Sequence, residues 1–230
     1  MLENKIHLGN CIDLLKDIDD SSINLILTDP PYNASNSTLG DDYYNRINEE
    51  WDKKFTIWFF DLAWYKLKVG GQMMIFCSHQ LLPRYLAKKE PFQILHWHKT
   101  NAVPAMSDRY GYSIEYILWY IRTSKDSASY TFNKGHRPHY LDIFTDKVAT
   151  YKKTDHPAEK PLHLIEALVK THSNKGDLVL DPFSGSGTTA VACAKTERRC
   201  IAIEILPKYY EMSLKRMEIE TKQPSLWETK

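Results

Sequence analysis

Three short apolar runs in this 230-residue chain each stop at an acid: residues 23–28 at Asp29, 178–180 at Asp181 and 200–203 at Glu204. Short apolar runs bounded by turn formers read as strands buried on both faces, which is how parallel sheets look in sequence. The first run meets Asp29-Pro30-Pro31. Two successive prolines donate no ladder hydrogen bonds, so the strand ends there. The second opens into Asp181-Pro182-Phe183-Ser184-Gly185-Ser186-Gly187-Thr188-Thr189, where small residues begin a helix running to about residue 195. Further strands are predicted over 6–8, 72–77, 92–98 and 115–122. Helices are predicted over 11–17, 51–69 (capped by Gly70-Gly71), 80–89, 162–171 and from 208 onward. Alternating strands and helices imply an α/β fold built on a mostly parallel sheet, with residues 99–153 as an inserted or appended module.

Composition narrows the class. With 43% hydrophobic residues the chain can bury a sizeable core without staples. Thirty basic against 29 acidic residues exclude a histone-like protein but leave room for a local basic face. The four cysteines, Cys11, Cys77, Cys193 and Cys200, are scattered without Cys-x-x-Cys spacing, so no disulfide framework or metal site is expected. No run approaches the ~18 apolar residues of a membrane span, and the N-terminus lacks a signal-peptide pattern. A cytoplasmic protein is the expectation.

Two places carry chemistry, both at the C-terminal ends of predicted strands, where open α/β sheets bind ligands. The glycine turn after Asp181 lets backbone N–H groups approach a ligand closely. No lysine follows Gly187, so it is not a phosphate-binding P-loop, and its glycine spacing is not that of a dinucleotide fingerprint. About 20 residues on, Glu204 ends the next strand, where nucleotide-binding folds place an acid for ribose hydroxyls. Turn and acid together suit an adenosine moiety. The second place is Asp29-Pro30-Pro31-Tyr32. By itself Pro-Pro after a strand is a stiff turn. Flanked by an acid and an aromatic ring, it can also accept hydrogen bonds from an amino group through Asp29 and the Pro30 carbonyl, and stack the ring that bears it.

These two motifs, in this order, resemble the amino-methylating DNA methyltransferases that use S-adenosylmethionine. Catalytic motif first and cofactor motif near the C-terminus is similar to their beta group, a circular permutation of the common Rossmann-like methyltransferase sheet. His156-Pro157-Ala158-Glu159-Lys160-Pro161 resembles that group's segment flanking the cofactor pocket, and residues 94–104, with Trp97 and Lys99, resemble another family segment. The resemblance implies a catalytic half (1–98), a small target-recognition module (99–153) and a cofactor-binding half (154–230). It implies catalysis by Asp29, Pro30, Pro31 and Tyr32 on a flipped base. It assigns S-adenosylmethionine to Asn10, Cys11, Asp29, Lys160, Asp181, Phe183, Gly185, Ser186, Gly187, Thr188 and Glu204. Where many members carry Gly-Asp-Cys this chain has Gly9-Asn10-Cys11, so an adenine contact there would use an uncharged amide oxygen.

Residues 99–153 hold nine basic against five acidic residues and ten aromatics. That mixture suits phosphate contact and base reading, with Lys99, Arg109, Arg122, Lys134, Arg137, Lys152 and Lys153 as contacts to double-stranded DNA. A small lobe with solvated charges reads the same way. Residues 34–50 look like a mobile loop, and the stretch 34–52 is acidic, with five acids against Arg46. The resemblance favours an adenine methyltransferase, because the cytosine-directed subgroup more often has Ser at position 29. A cytosine-N4 enzyme, a non-catalytic subunit binding an adenosine ligand and DNA, and an RNA- or protein-directed methyltransferase remain the alternatives. A second copy of the chain and a cognate restriction endonuclease are the candidate protein partners.

Overall fold

The structure, a computed structural model, describes residues 3–31, 57–102, 110–124, 129–135, 141–146, 154, 156 and 158–221. Eight strands form one sheet: β1 (Lys5–Leu8), β2 (Ile23–Thr28), β3 (Leu67–Cys77), β4 (Gln93–Lys99), β5 (Ile114–Ile121), β6 (Ile143–Asp146), β7 (Leu178–Asp181) and β8 (Arg199–Glu204). Their order is β1-β8-β7-β2-β3-β5-β4-β6, and only β5 runs antiparallel to its neighbours.

Helices cover both faces, as the apolar strands require. One face buries Leu25, Leu27, Met74, Phe76 and Val179 against α4 (Leu162–His172), α5 (Thr188–Lys195) and α6 (Pro207–Thr221). The other buries Ile23, Ile26, Met73, Ile75 and Leu180 with α1 (Cys11–Leu14), α2 (Phe59–Lys66) and α3 (Leu82–Lys88). Among the described residues no helix is long and apolar enough to cross a membrane.

Two expectations change. The helix expected over 51–69 ends, among the described residues, at Lys66, and β3 begins at once, so Gly70-Gly71 lie inside a strand and cap nothing. The β2–β3 register slips there. Gly70 has φ +80, and a Cβ on it would lie 2.5 Å from the Ser129 carbonyl oxygen, so glycine answers a bulge and a close approach. The described part of the stretch 99–153 joins the sheet. It supplies β5, which lies between β3 and β4, and the edge strand β6.

The strand order reverses between β7 and β2: α5 carries the chain from β7 to β8 on one side, while β2 is followed by β3 on the other. A crevice opens beyond the C-terminal ends of strands at such a switch point. Leu25 pairs with Val179 and Ile26 with Leu180, so the two sequence motifs leave the sheet side by side at that crevice.

Candidate active site

The two turns are pinned together by a buried carboxylate. Asp181 Oδ1 accepts from Thr28 Oγ1 at 2.8 Å and from the Phe183 N–H at 3.1 Å. Burial pushes its pKa up to about 6, even though hydrogen bonds from Thr189, Thr28 and Phe183 pull the other way. Asp181 is therefore a structural pin between the turn after β2 and the glycine turn, and Oδ1 is spent on holding them. Phe183 packs edge-on to Phe59, with centroids 5.0 Å apart.

Glu204 shapes the glycine turn from the next strand end. Its Oε2 accepts from Gly185 N–H and its Oε1 from Leu206 N–H, both at 2.8 Å. The Ile205 N–H also leans on this carboxylate, and of its about four lone-pair positions room remains for a hydroxyl donor. Burial raises its pKa to about 7. Gly187, with φ +76, caps α5 in the left-handed region, and a Cβ there would lie 2.9 Å from the Ser213 Cβ. Ser184 Oγ is buried and, among the described residues, has no hydrogen-bond partner. The tight turn, the room left on Glu204 and this hydroxyl fit an adenosine-type cofactor.

Several sequence assignments move. The side chains of Ser186 and Thr188 turn away from the crevice toward Arg216, whose guanidinium donates to Ser186 Oγ at 3.1 Å and Thr188 Oγ1 at 2.8 Å. Only their backbone is left for a ligand. Arg216 also pairs with Glu159 at 3.2 Å and Glu220 at 2.8 Å, tying α6 to the glycine turn and to the 156–161 segment. Sequence reasoning missed it, since an arginine on an amphipathic C-terminal helix carries no local signal. Asn10 sits beside the end of β8, where Gly9 N–H donates to the Glu204 carbonyl. Its Oδ1, however, accepts from Ile12 N–H at 2.9 Å as the N-cap of α1, so the oxygen expected to meet adenine is engaged. Cys11 is buried, and burial pushes its thiol up to about 12.

Lys160 moves furthest. Its buried ammonium bonds to Asp29 and lies 3.5 Å from Glu115, with the Phe76 ring centroid 5.3 Å away. Burial alone would push Lys160 down, but Asp29 and Glu115 more than offset it and hold the ammonium above the usual lysine range. The residue assigned to the cofactor thus grips Asp29. Glu115 also pairs with Lys99 at 3.1 Å, so Lys99 is no free phosphate contact.

Arg122 and Lys134 are placed away from the site. Arg122 pairs through its backbone with Gly71, and its guanidinium donates to Ser21 Oγ and to the Tyr65 and Leu67 carbonyls at the opposite edge of the sheet. Lys134 is exposed next to Asn133, which bonds to the C-terminal end of α4 at that same edge. Tyr32, Arg109, Arg137, Lys152, Lys153 and the 34–50 loop lie outside the described residues.

Comparison with known proteins meets this geometry. A DNA methylase family model matches residues 23–215, which span both turns and the sheet between them. The Type II methyltransferase M2.MboI of Moraxella bovis is 34% identical, over 92% of this chain and 86% of its own. The DNA adenine methyltransferase YhdJ of Escherichia coli K12 is 28% identical, over 92% of this chain and 81% of its own. The crystal structure of an M1.HpyAVI–SAM complex superposes with a TM-score of 0.71 at 29% identity, covering 92% of this chain and 98% of the other. With its two acid-ended turns meeting at the switch point of a permuted sheet, this chain belongs to the S-adenosylmethionine-dependent, amino-methylating DNA methyltransferases.

Proposed function

We propose that the chain is a DNA adenine methyltransferase that modifies the exocyclic amino group of a flipped adenine. The observation that carries this reading is Asp29 itself, an acid at the mouth of the switch-point crevice, held beside the glycine turn through Thr28 and Asp181. Asp29 and the Pro30 carbonyl accept the two amino protons, and Tyr32 stacks the base. Holding both protons in this way keeps the nitrogen lone pair out of conjugation with the ring and aimed into the crevice. Positioning and fixed electrostatics then supply most of the rate. S-adenosylmethionine, when bound, supplies the electrophilic methyl group. Glu204 receives ribose hydroxyls, the 183–188 backbone and Ser184 Oγ line the cofactor, and Asp181, Lys160 and Arg216 brace the residues that do.

Two supports favour adenine over cytosine. Position 29 is Asp, and a relative along most of the chain is named a DNA adenine methyltransferase. DNA contacts from the 99–153 stretch fall to Arg109, Arg137, Lys152 and Lys153, since Lys99, Arg122 and Lys134 have other places in the structure.

Asp29→Asn tests the site. It keeps the volume and one acceptor oxygen but loses the charge whose pull on the amino protons strengthens as the nitrogen rehybridises. Methyl transfer from labelled S-adenosylmethionine to DNA should fall about a hundredfold or more, as for a transition-state contact of ~3 kcal/mol. Cofactor affinity by calorimetry should hold. Full activity of the variant would remove Asp29 from the mechanism.

A further inference from the structure

Asp29, Lys160, Glu115 and Lys99 form a continuous line of alternating charges running from the catalytic turn across β5 to the end of β4. None is fully exposed: their side chains are 24%, 8%, 16% and 13% accessible in that order. Glu115 stands in the register pair with Trp97 and one residue beyond the Tyr116–Cys77 pair, so it lies at the C-terminal edge of the sheet, level with the catalytic turn. It is the one charged residue in an otherwise apolar and aromatic strand, Ile-Glu-Tyr-Ile-Leu-Trp-Tyr-Ile.

A buried charge persists only when it is paired and hydrogen-bonded. With Asp29 as its sole anion, the Lys160 ammonium would settle fully on that carboxylate and blunt the acceptor that must receive amino protons. An ammonium has three donors. Glu115 takes a share of them from the far side, and the Phe76 and Trp97 rings fill the space around it, with centroids 5.3 and 5.9 Å from Nζ. Lys99 in turn balances Glu115, so the four groups sum to no net charge. We propose that Glu115 is a positioning residue for methyl transfer: acting through Lys160, it fixes the place of Asp29 and preserves its strength as an acceptor. This inference rests on Asp29 being the amino acceptor.

The test is single-turnover methylation of DNA between pH 7 and 10 with Glu115→Gln, Glu115→Asp and Lys99→Met. Among the described residues, the titratable groups facing Lys160 and its partners are Asp29, Glu115, Lys99, Cys77, Tyr85 and Asp181. Cys77 is pushed up to about 12 and Tyr85 higher still, both first by burial, while Asp181 titrates on the acid side. With its ammonium held above the usual lysine range, Lys160 leaves the wild-type limb above this window, so a limb that enters it only in the Glu115→Gln variant reports a weaker hold on that ammonium. Glu115→Gln should lower the rate at saturating substrates by roughly 10- to 100-fold, the scale of a small misplacement of a reacting group. It should also move the alkaline limb to lower pH, because Lys160 loses an anion that holds its proton. S-adenosylmethionine affinity should not change. Glu115→Asp should recover most of the rate, and Lys99→Met, which removes a competing cation from Glu115, should not lower the limb. A Glu115→Gln variant with wild-type rate and profile would overturn the proposal. So would a rate loss that tracks thermal unfolding while the limb stays put, since that marks a merely structural role. Asp29→Asn, measured alongside, separates the failures: if it is fully active, the reading of Asp29 falls first.

Discussion

Glu204 should make the protein's stability and its cofactor affinity respond to pH in opposite directions. The carboxyl is 6% exposed, and burial raises its pKa from 4.5 to about 7. Between those values the native state holds a proton that the unfolded chain has released. The stability contributed by that proton is fully present below about 4.5 and is lost as pH rises through about 7. At about 1.4 kcal/mol per pH unit, the rise amounts to a loss on the order of 3 kcal/mol for the ligand-free protein. Ribose hydroxyls donate to the ionised form and so favour it. S-adenosylmethionine should therefore bind more tightly as pH climbs to about 7, by up to about tenfold per unit, and then level off. Urea unfolding of the free protein at pH 5, 6, 7 and 8, with calorimetry of cofactor binding at the same values, measures both trends. Glu204→Gln isolates the residue. Its constant offset depends on how the amide seats against Gly185 and Leu206, but its stability curve should lack the wild-type slope. Parallel curves for the two proteins, with pH-independent affinity in the wild type, would refute the reasoning.

Two further substitutions probe the frame of the cofactor turn. Gly187→Ala places a side chain at φ +76 and a Cβ 2.9 Å from Ser213, so thermal or urea unfolding should show a loss of about 1–3 kcal/mol or more, with weaker cofactor binding. Arg216→Met strips the guanidinium from buried Glu159 and Glu220, and denaturant unfolding should register about 3–5 kcal/mol; Arg216→Lys should recover only part, because an ammonium cannot reproduce the forked contacts.

The sheet was legible in sequence because its strands are buried on both faces and end at strong stop signals. The apolar run before Asp29 matches β2 to the residue, the run before Asp181 falls one residue short of β7, and the run before Glu204 falls one residue short of β8 at each end. Gly70-Gly71 misled because the dipeptide serves equally as a helix cap and as a bulge, and only the approach of the Ser129 carbonyl decides between them. β5 was visible as a strand, but no local signal says that it pairs with β3 and β4, since pairing is a long-range property. The same holds within the site. Asp29, Asp181 and Glu204 announce themselves by standing at strand ends. Lys160 is 131 residues from Asp29, so its motif context pointed to the cofactor while its bond goes to the acid. Glu115 had one faint signal, a lone charge in an apolar strand. Asn10 shows the converse: a polar residue after a strand serves as readily for a helix cap as for a ligand contact.

The nucleoside that carries the transferred methyl group reports the chemistry at the Asp29-Pro30-Pro31 turn. Double-stranded DNA incubated with the protein and S-adenosylmethionine is digested, and its nucleosides are resolved by mass spectrometry. Adenine methylated on its exocyclic nitrogen is the expected product, formed about a hundredfold or more slowly when Asp29→Asn replaces the wild type. Cytosine methylated on N4 would contradict the assigned base. Cofactor binding with no methylated nucleoside, on DNA of every sequence offered, would contradict catalysis itself.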